Sequence, residues 1–192
     1  MVVALGGAAS ARAQSDTEAM APTKNTLDAG LVLASPAGAL STGMSVGVGA
    51  SFMRLATRGG LLAWGARVSW STATEYSKAP TYAVRNDDIR LRLCGQIQHA
   101  VGRGLFGLRV GLGGTLVYED QSLVQAARAN QPGLQSEITN WALLPAAEVE
   151  GIVVLRVWSS WGMSVSGGPT LHGLKGGVHA GWTSGLGVTW QH

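Results

Sequence analysis

The sequence predicts an all-β protein, a closed eight-stranded antiparallel up-and-down transmembrane β-barrel. Three observations predict this fold. Apolar residues alternate with small or polar residues through most of the chain, which is the period of a strand with two different faces. The alternating segments are about 10–15 residues long. An average strand has ~5–6 residues, whereas a tilted strand needs ~9–11 to cross a bilayer. Short and long connections also alternate along the chain.

Composition excludes several other classes of protein. Only 13% of the 192 residues are charged and 46% are apolar, which excludes a disordered chain. No apolar run is long enough for a membrane-spanning helix. The net charge is +3 and the arginines are scattered, so we expect no nucleic-acid surface. A single cysteine, Cys94, excludes an internal disulfide and a cysteine-rich metal site, and we expect no metal and no cofactor.

The chain divides into three regions. Residues 2–9 are small and apolar, and Ala11-Arg12-Ala13 matches the small-x-small pattern that precedes a signal-peptidase site. Residues 1–13 are therefore predicted to be a signal peptide and residues 14–25 a polar lead-in. The barrel is predicted to occupy residues 26–192.

The eight strands follow from the alternation, in chain order. Odd positions of the first strand carry leucine or alanine. In the second and third strands the even positions are apolar and the odd positions are mostly glycine and serine. In the fourth and fifth strands, arginine, glutamine and glycine lie on one face, and isoleucine, leucine and valine lie on the other. The sixth is weaker and contains Pro145, whereas the last two again alternate. The predicted bounds are Thr26–Ser35, Gly43–Arg54, Leu62–Thr72, Asp88–His99, Leu105–Tyr118, Ile138–Val149, Val153–Ser166 and Gly177–Gln191.

The connections place all short turns at one end of the barrel, here named the short-turn end, and all long loops at the other, the loop end. This alternation is typical of outer-membrane barrels. A short helix is predicted at Leu123–Ala129 inside the longest loop. The predicted short turns are 57–60, 101–103 and 150–151, and the predicted loops are Pro36–Thr42, Glu75–Val84, Glu119–Glu137 and Gly167–Gly176.

The polar face is predicted to point into the barrel. It consists of glycine, serine, threonine and isolated arginines, and small residues suit the narrow lumen of eight strands. An arginine that faced lipid at mid-depth would cost about 2–4 kcal/mol. The apolar face is therefore predicted to meet lipid.

Charges in the lumen form the candidate site. Buried charges require partners. Counting across the predicted turn at 150–151 places Glu148 near Arg156, and pairing the fifth and sixth strands across the long loop places it near Arg109 as well. An Arg109–Glu148–Arg156 cluster is predicted to plug the lower lumen. It serves either as a packed, satisfied interior or as a charge-selective pore. The predicted lumen charges are Arg67, Arg90, Arg92, Arg109 and Arg156 with Asp28, Asp88, Glu148 and Glu150.

Aromatic residues of the apolar face form two predicted belts at the membrane interfaces. The belt at the short-turn end consists of Phe52, Trp64, Phe106 and Trp190. The belt at the loop end consists of Trp70, Tyr118, Trp141 and Trp161.

The pattern resembles the small eight-stranded outer-membrane β-barrels of the OmpA/OmpX type. The resemblance covers residues 26–192 and includes the last strand, GVHAGWTSGLGVTWQH, with Trp190 near its end. It implies residence in the outer membrane of a Gram-negative cell, contact with outer-membrane lipid, and assembly by the barrel-assembly machinery.

Three functions remain open from the sequence. The first is a structural and surface-interaction role with a plugged lumen, in which the loop Glu119–Glu137 contacts an unidentified partner. The second is transport or binding of small apolar molecules through the barrel wall near Pro145. The third is lipid modification at the rim. His172 lies near Thr170 and Ser166, but no acidic partner is close in sequence and no G-x-S-x-G motif is present, so we expect no enzyme.

Overall fold

The fold is a closed ring of eight antiparallel strands in sequence order. The computed structural model describes residues 24–37, 43–56, 61–76, 82–123, 133, 135, 137–174 and 177–192. The predicted signal peptide and most of the predicted helix lie outside these residues. Within them, no helix is long and apolar enough to cross a bilayer.

The strands alternate in direction, and each pairs with its neighbours in the chain until β8 closes on β1. The fold class predicted from the sequence is thereby confirmed. The strands are β1 Asn25–Ala34, β2 Ser45–Leu55, β3 Leu62–Tyr76, β4 Tyr82–Val101, β5 Gly104–Leu123, β6 Glu137–Arg156, β7 Trp161–Leu174 and β8 Gly177–Gln191.

The strands are staggered by ten residues around the ring. Following paired residues from Thr26 through β2 to β7 leads to Gly181 on β8. Thr26 itself pairs with Gln191, ten residues further along the same strand. A stagger of this kind requires strands that tilt by roughly 35–45° from the barrel axis, and it explains why they are longer than those of soluble sheets.

The predicted turn at 150–151 is wrong. β6 continues to Arg156 and the turn spans Val157–Ser160, so β7 begins at Trp161 rather than at Val153. The charge of Glu150 and the glycine after it suggested a turn. In the structure Glu150 faces the lumen, and the alternation continues through Ile152 and Val154, which are also buried.

Other strands extend further toward the loop end than predicted. β7 runs to Leu174, so the predicted loop Gly167–Gly176 is wrong: most of it is strand, with Pro169 on the exposed face. β5 runs to Leu123 and β4 starts at Tyr82, which shortens the predicted loops Glu119–Glu137 and Glu75–Val84.

The apolar face points outward, as the sequence predicts. Val48, Trp64 and Leu108 are 54%, 57% and 51% exposed, whereas Arg67 and Arg109 are 8% and 3% exposed. An exterior of this composition cannot be the surface of a water-soluble barrel, since contiguous apolar patches of that size are rare on soluble monomers. It matches the lipid-facing band of a transmembrane barrel.

One side of the barrel wall is taller than the rest. β4, β5 and β6 each have 20 residues, whereas β1 and β2 have 10 and 11. In the register that pairs Ala146 with His172, the end of β7 reaches only the level of Leu144. The residues of β6 from Glu137 to Leu143 therefore pair with β5 alone.

Replacing an outward leucine with arginine tests the orientation. Leu93 is 74% exposed in the middle of β4, and Val101 is 57% exposed at its end. We expect Leu93→Arg to lower the free energy of unfolding by about 2–4 kcal/mol, and Val101→Arg by about 0–1 kcal/mol, because the cost of a lipid-facing charge depends on depth. Urea unfolding in phospholipid vesicles measures both. Equal effects would contradict a membrane-spanning band centred near Leu93.

Candidate functional site

The candidate site is a layer of charged side chains that crosses the middle of the lumen, here named the ionic layer. Three strands supply its arginines, and β6 supplies both carboxylates from positions two apart, which places them on one face of the strand. All five side chains are at most 9% exposed. The members are Arg67 of β3, Arg92 of β4, Arg109 of β5, and Glu148 and Glu150 of β6.

Each carboxylate of the ionic layer bridges two arginines. Arg67 hydrogen-bonds Glu150 and has its Nη1 atom 3.5 Å from Oε1 of Glu148. Arg92 Nε lies 3.4 Å from Oε2 of Glu148, and Arg109 Nη1 lies 3.8 Å from Oε2 of Glu150. The layer therefore links β3, β4, β5 and β6 across the lumen, with Arg67 as the shared member.

Neutral groups fix two of the arginines from the side. Arg92 donates to Thr115 Oγ1 at 2.9 Å and to backbone carbonyls of Leu91 and Gly114. Arg109 donates through Nε to Gln96 Oε1 at 3.0 Å. Guanidinium groups held in this way have little freedom to swing aside and open a path.

Glycines on the inner face leave room for the ionic layer. A Cβ atom at Gly111 would lie 2.9 Å from Cγ of Glu148 and 3.3 Å from Cβ of Arg92. A Cβ atom at Gly185, on the other side of the ring, would lie 3.9 Å from Nη2 of Arg67. The inward glycines and the long lumenal side chains therefore complement one another in volume.

The segment Ser35–Ala37, which follows β1, enters the upper lumen. The backbone N–H of Ala37 donates to Asp88 Oδ2 at 2.9 Å, and Arg90 Nη2 donates to the carbonyl of Ser35 at 2.7 Å. Arg90 also pairs with Asp88 at 3.0 Å. Ala37 is fully buried and packs against Val117 and Leu144. The segment Ser35–Ala37 is thus held inside the barrel mouth by a buried ion pair.

The lower lumen is filled by a second set of contacts. Asp28 accepts hydrogen bonds from Ser164 and from Thr189, the latter at 2.9 Å. Leu105, Ile152 and Val154 form a buried apolar cluster near the short-turn end. The cavity between these two groups measures about 10 Å³, which is room for roughly one water molecule.

Of the nine predicted lumen charges, the structure brings five together in the ionic layer, whereas Arg90 and Arg156 lie apart from it. Arg67, Arg92, Arg109, Glu148 and Glu150 belong to the ionic layer, whereas Arg90 pairs with Asp88 above it. The predicted contact between Glu148 and Arg156 is wrong. Since β6 does not turn at Glu150, Arg156 lies eight residues along the same strand, at the short-turn end.

Glu150 was counted among the lumen charges, but the sequence did not identify its partners. It was placed at a turn, yet it is fully buried and contacts both Arg67 and Arg109. The signal that could have identified it is the unbroken alternation from Glu148 to Val154.

The predicted interface aromatics are all on the outer surface, at 36–75% exposure. Phe52, Trp64, Phe106 and Trp190 lie toward the short-turn end, and Trp70, Tyr118 and Trp141 toward the loop end. Trp161 was assigned to the wrong belt: it pairs directly with Trp190 at the short-turn end, because β7 starts there.

His172 and Cys94 are lumenal side chains. His172 lies in β7, 1% exposed, with Nδ1 3.3 Å from Thr115 Oγ1, so it is not in a surface loop as predicted. Cys94 is buried against Met53 and Ala63. In the part of the chain that the structure describes, no group of three or more histidine, cysteine or acidic residues is arranged to hold a metal.

Comparisons with known proteins agree on the fold. No protein-family model and no curated protein sequence matches the chain. Among solved structures, Neisserial surface protein A is 11% identical, covers 88% of this chain and 98% of its own, with a TM-score of 0.53. Ail, the attachment invasion locus protein of Yersinia pestis, is 9% identical, covers 88% of this chain and 99% of its own, with a TM-score of 0.54. The outer membrane protein OprG of Pseudomonas aeruginosa is 12% identical, covers 92% of this chain and 99% of its own, with a TM-score of 0.54.

These likenesses define the class of the fold. The chain has the architecture of small eight-stranded outer-membrane β-barrels, with nearly the full length of each solved barrel matched. At these identities the likeness extends to the fold alone.

Neutralising Glu150 tests the ionic layer. We expect Glu150→Gln to lower the free energy of unfolding by about 3–5 kcal/mol, because a buried pair that loses one partner leaves an uncompensated charge. Glu137→Gln, at the exposed start of β6, is the matched control and should change stability by less than about 0.5 kcal/mol. Urea unfolding in vesicles measures both. A small effect at Glu150 would show that the ionic layer does not hold the barrel together.

Proposed function

We propose that this protein is an integral outer-membrane barrel with a closed lumen, and that it serves as a rigid scaffold for recognition at the loop end. One observation carries the proposal. The hairpin of β5 and β6 continues beyond the end of β7, from the Thr115–Leu144 pair to the Ser122–Glu137 pair. In this proposal lipid surrounds the apolar wall and the barrel-assembly machinery inserts the chain.

The extended hairpin carries the residues that a partner would contact. Trp141 is 75% exposed and Leu143 is 69% exposed, and Trp141 pairs with Tyr118 across the two strands. Exposed tryptophan and tyrosine side chains are the residues most often responsible for binding energy in protein interfaces. Their position beyond the shorter strands favours contact with a partner protein rather than with acyl chains.

Charge around the hairpin indicates the chemistry of that partner. Asp120 and Glu137 lie on the two strands of the hairpin, whereas Asp87 of β4, opposite Tyr118, is already paired with Arg85 at 2.9 Å. Ail of Yersinia pestis has been crystallised with the heparin analogue sucrose octasulfate. Carboxylates at the loop end of the present chain disfavour a polysulfated ligand, so the proposed partner is a protein with an apolar pocket and basic residues.

Site-specific labelling tests the direction in which the hairpin points. In a Cys94→Ser background, Asp120→Cys should react with a membrane-impermeant maleimide on intact cells. Arg103→Cys, in the turn at the opposite end, is the matched control and should react only after the outer membrane is permeabilised. Labelling of Arg103→Cys on intact cells would overturn the proposed topology.

Bilayer recordings test the closed lumen. We expect the wild-type protein to show no steady conductance, because the ionic layer and the Ser35–Ala37 segment occupy the lumen. The double variant Arg67→Ala/Glu150→Ala removes one charge of each sign from the centre of the layer and should produce conducting events. A steady, large conductance in the wild-type protein would contradict the proposal.

Transport through the barrel wall is the alternative that a specific observation favours. The β6–β7 ladder is interrupted between the Glu148–Thr170 and Gly151–Gly167 pairs, opposite Pro169, which has no N–H to donate. Behind this interruption lie the buried side chains of Glu148 and Glu150. An apolar solute would have to displace these charges, so we favour the scaffold.

We propose no catalytic role. His172 is hydrogen-bonded to Thr115 inside the lumen, and the lumenal carboxylate Asp88 is paired with Arg90 and with the Ala37 backbone. These partners leave no arrangement of nucleophile, base and acid at the rim among the residues described.

A further inference from the structure

A groove lies on the outer wall where β8 closes on β1, here named the seam groove. Its volume is about 550 Å³, which is within the range of small-molecule pockets in proteins. The side chains that line it are all apolar, and they are Ala29 and Leu31 of β1, Val48 of β2, Met163 of β7, and Leu186 and Val188 of β8.

Small residues form the floor of the seam groove. Ala29 faces outward and lies directly opposite Ala50 of β2, so two methyl groups stand side by side on this part of the wall. One position further along, Gly30 pairs with Gly49 on one side and with Gly187 on the other. Since these glycines carry no side chain, the backbone of three neighbouring strands adjoins the floor.

Larger side chains form the two ends of the seam groove. Leu31 and Leu186 lie opposite each other toward the loop end, and Met163 and Val188 lie opposite each other toward the short-turn end. All four are more than half exposed. An occupant of the groove would therefore contact side chains at both ends and the alanines beneath it.

The depth of the seam groove in the membrane limits what can occupy it. Ala29 is the fifth of the ten residues of β1, halfway along the wall. At this depth the wall faces the hydrocarbon core of the bilayer. None of the side chains that line the groove is polar or charged, so a polar occupant would find no hydrogen-bonding side chain there.

We propose that the seam groove binds one acyl chain of an outer-membrane lipid. Association within lipid depends on van der Waals packing rather than on the hydrophobic effect, and each contact adds a small attraction. A flexible chain can follow a concave surface and contact it on several sides, whereas the convex wall of a second barrel cannot reach the floor. Since the groove contacts only the chain, it selects no particular headgroup.

Native mass spectrometry tests the proposal. The protein is refolded into vesicles of phosphatidylethanolamine and phosphatidylglycerol with palmitoyl chains, extracted into a non-ionic detergent and released from the micelle in the spectrometer. We expect the wild-type barrel to retain one lipid of either headgroup. Ala29→Phe places a ring in the groove and should reduce the lipid-bound fraction about tenfold, which corresponds to about 1.4 kcal/mol.

Ala66→Phe is the matched control and should retain the lipid as the wild-type protein does. Ala66 is the fifth residue of β3 from the short-turn end, as Ala29 is of β1, and it faces outward but does not line the groove. Both substitutions place the same apolar ring against lipid. Heat-modifiable gel migration of each sample shows separately whether the barrel has folded.

Three results would overturn the proposal. The first is a folded wild-type barrel that retains no lipid, and the second is an equal loss of lipid in the two variants. The third is a dimer of this chain that Ala29→Phe alone dissociates, which would identify a second copy as the occupant. Each of these results would leave the proposed scaffold intact, because the scaffold depends on the lumen and the loop end.

Discussion

The structure depends on one constraint: the charges of a narrow barrel with an apolar exterior must neutralise one another inside it. Lipid surrounds the wall and the lumen buries its arginines, so each buried arginine needs an acceptor within the ring. Arg67 meets this need by contacting two carboxylates on β6, across the lumen from its own strand. The ion pairs are therefore also cross-links, which hold together strands that are not neighbours in the sheet.

Side-chain volume follows from the same constraint. Eight strands enclose a lumen barely wide enough for the side chains they direct inward, and a long arginine on one strand requires a small residue on another. Gly111 illustrates this requirement, because a Cβ atom there would occupy the space of the Glu148 side chain. Gly95 of β4 faces outward, and a Cβ atom added there would have no other atom within 4 Å. Similar glycines in the sequence thus serve different purposes according to the face they occupy.

The sequence predicted the ring, the direction of each face and the lumenal position of Arg67, Arg92 and Arg109, because alternation determines which way a side chain points once a strand exists. It failed where composition competed with alternation. Glu150-Gly151 has the composition of a turn, so the seventh strand was predicted to start too early. That error led to the predicted contact between Arg156 and Glu148 and placed Trp161 at the wrong end of the barrel. The position of Ser35–Ala37 inside the barrel mouth could not be predicted. It depends on a hydrogen bond between Ala37 and Asp88, which are far apart in the sequence.

The lumen and the loop end of the barrel differ in how their charges are satisfied, and this difference connects the fold to its proposed roles. In the lumen the charges are paired and buried, which supports a scaffold rather than a channel. At the loop end, Asp120 and Glu137 lie on the same hairpin as the exposed Trp141, which is why the proposed partner is a basic protein.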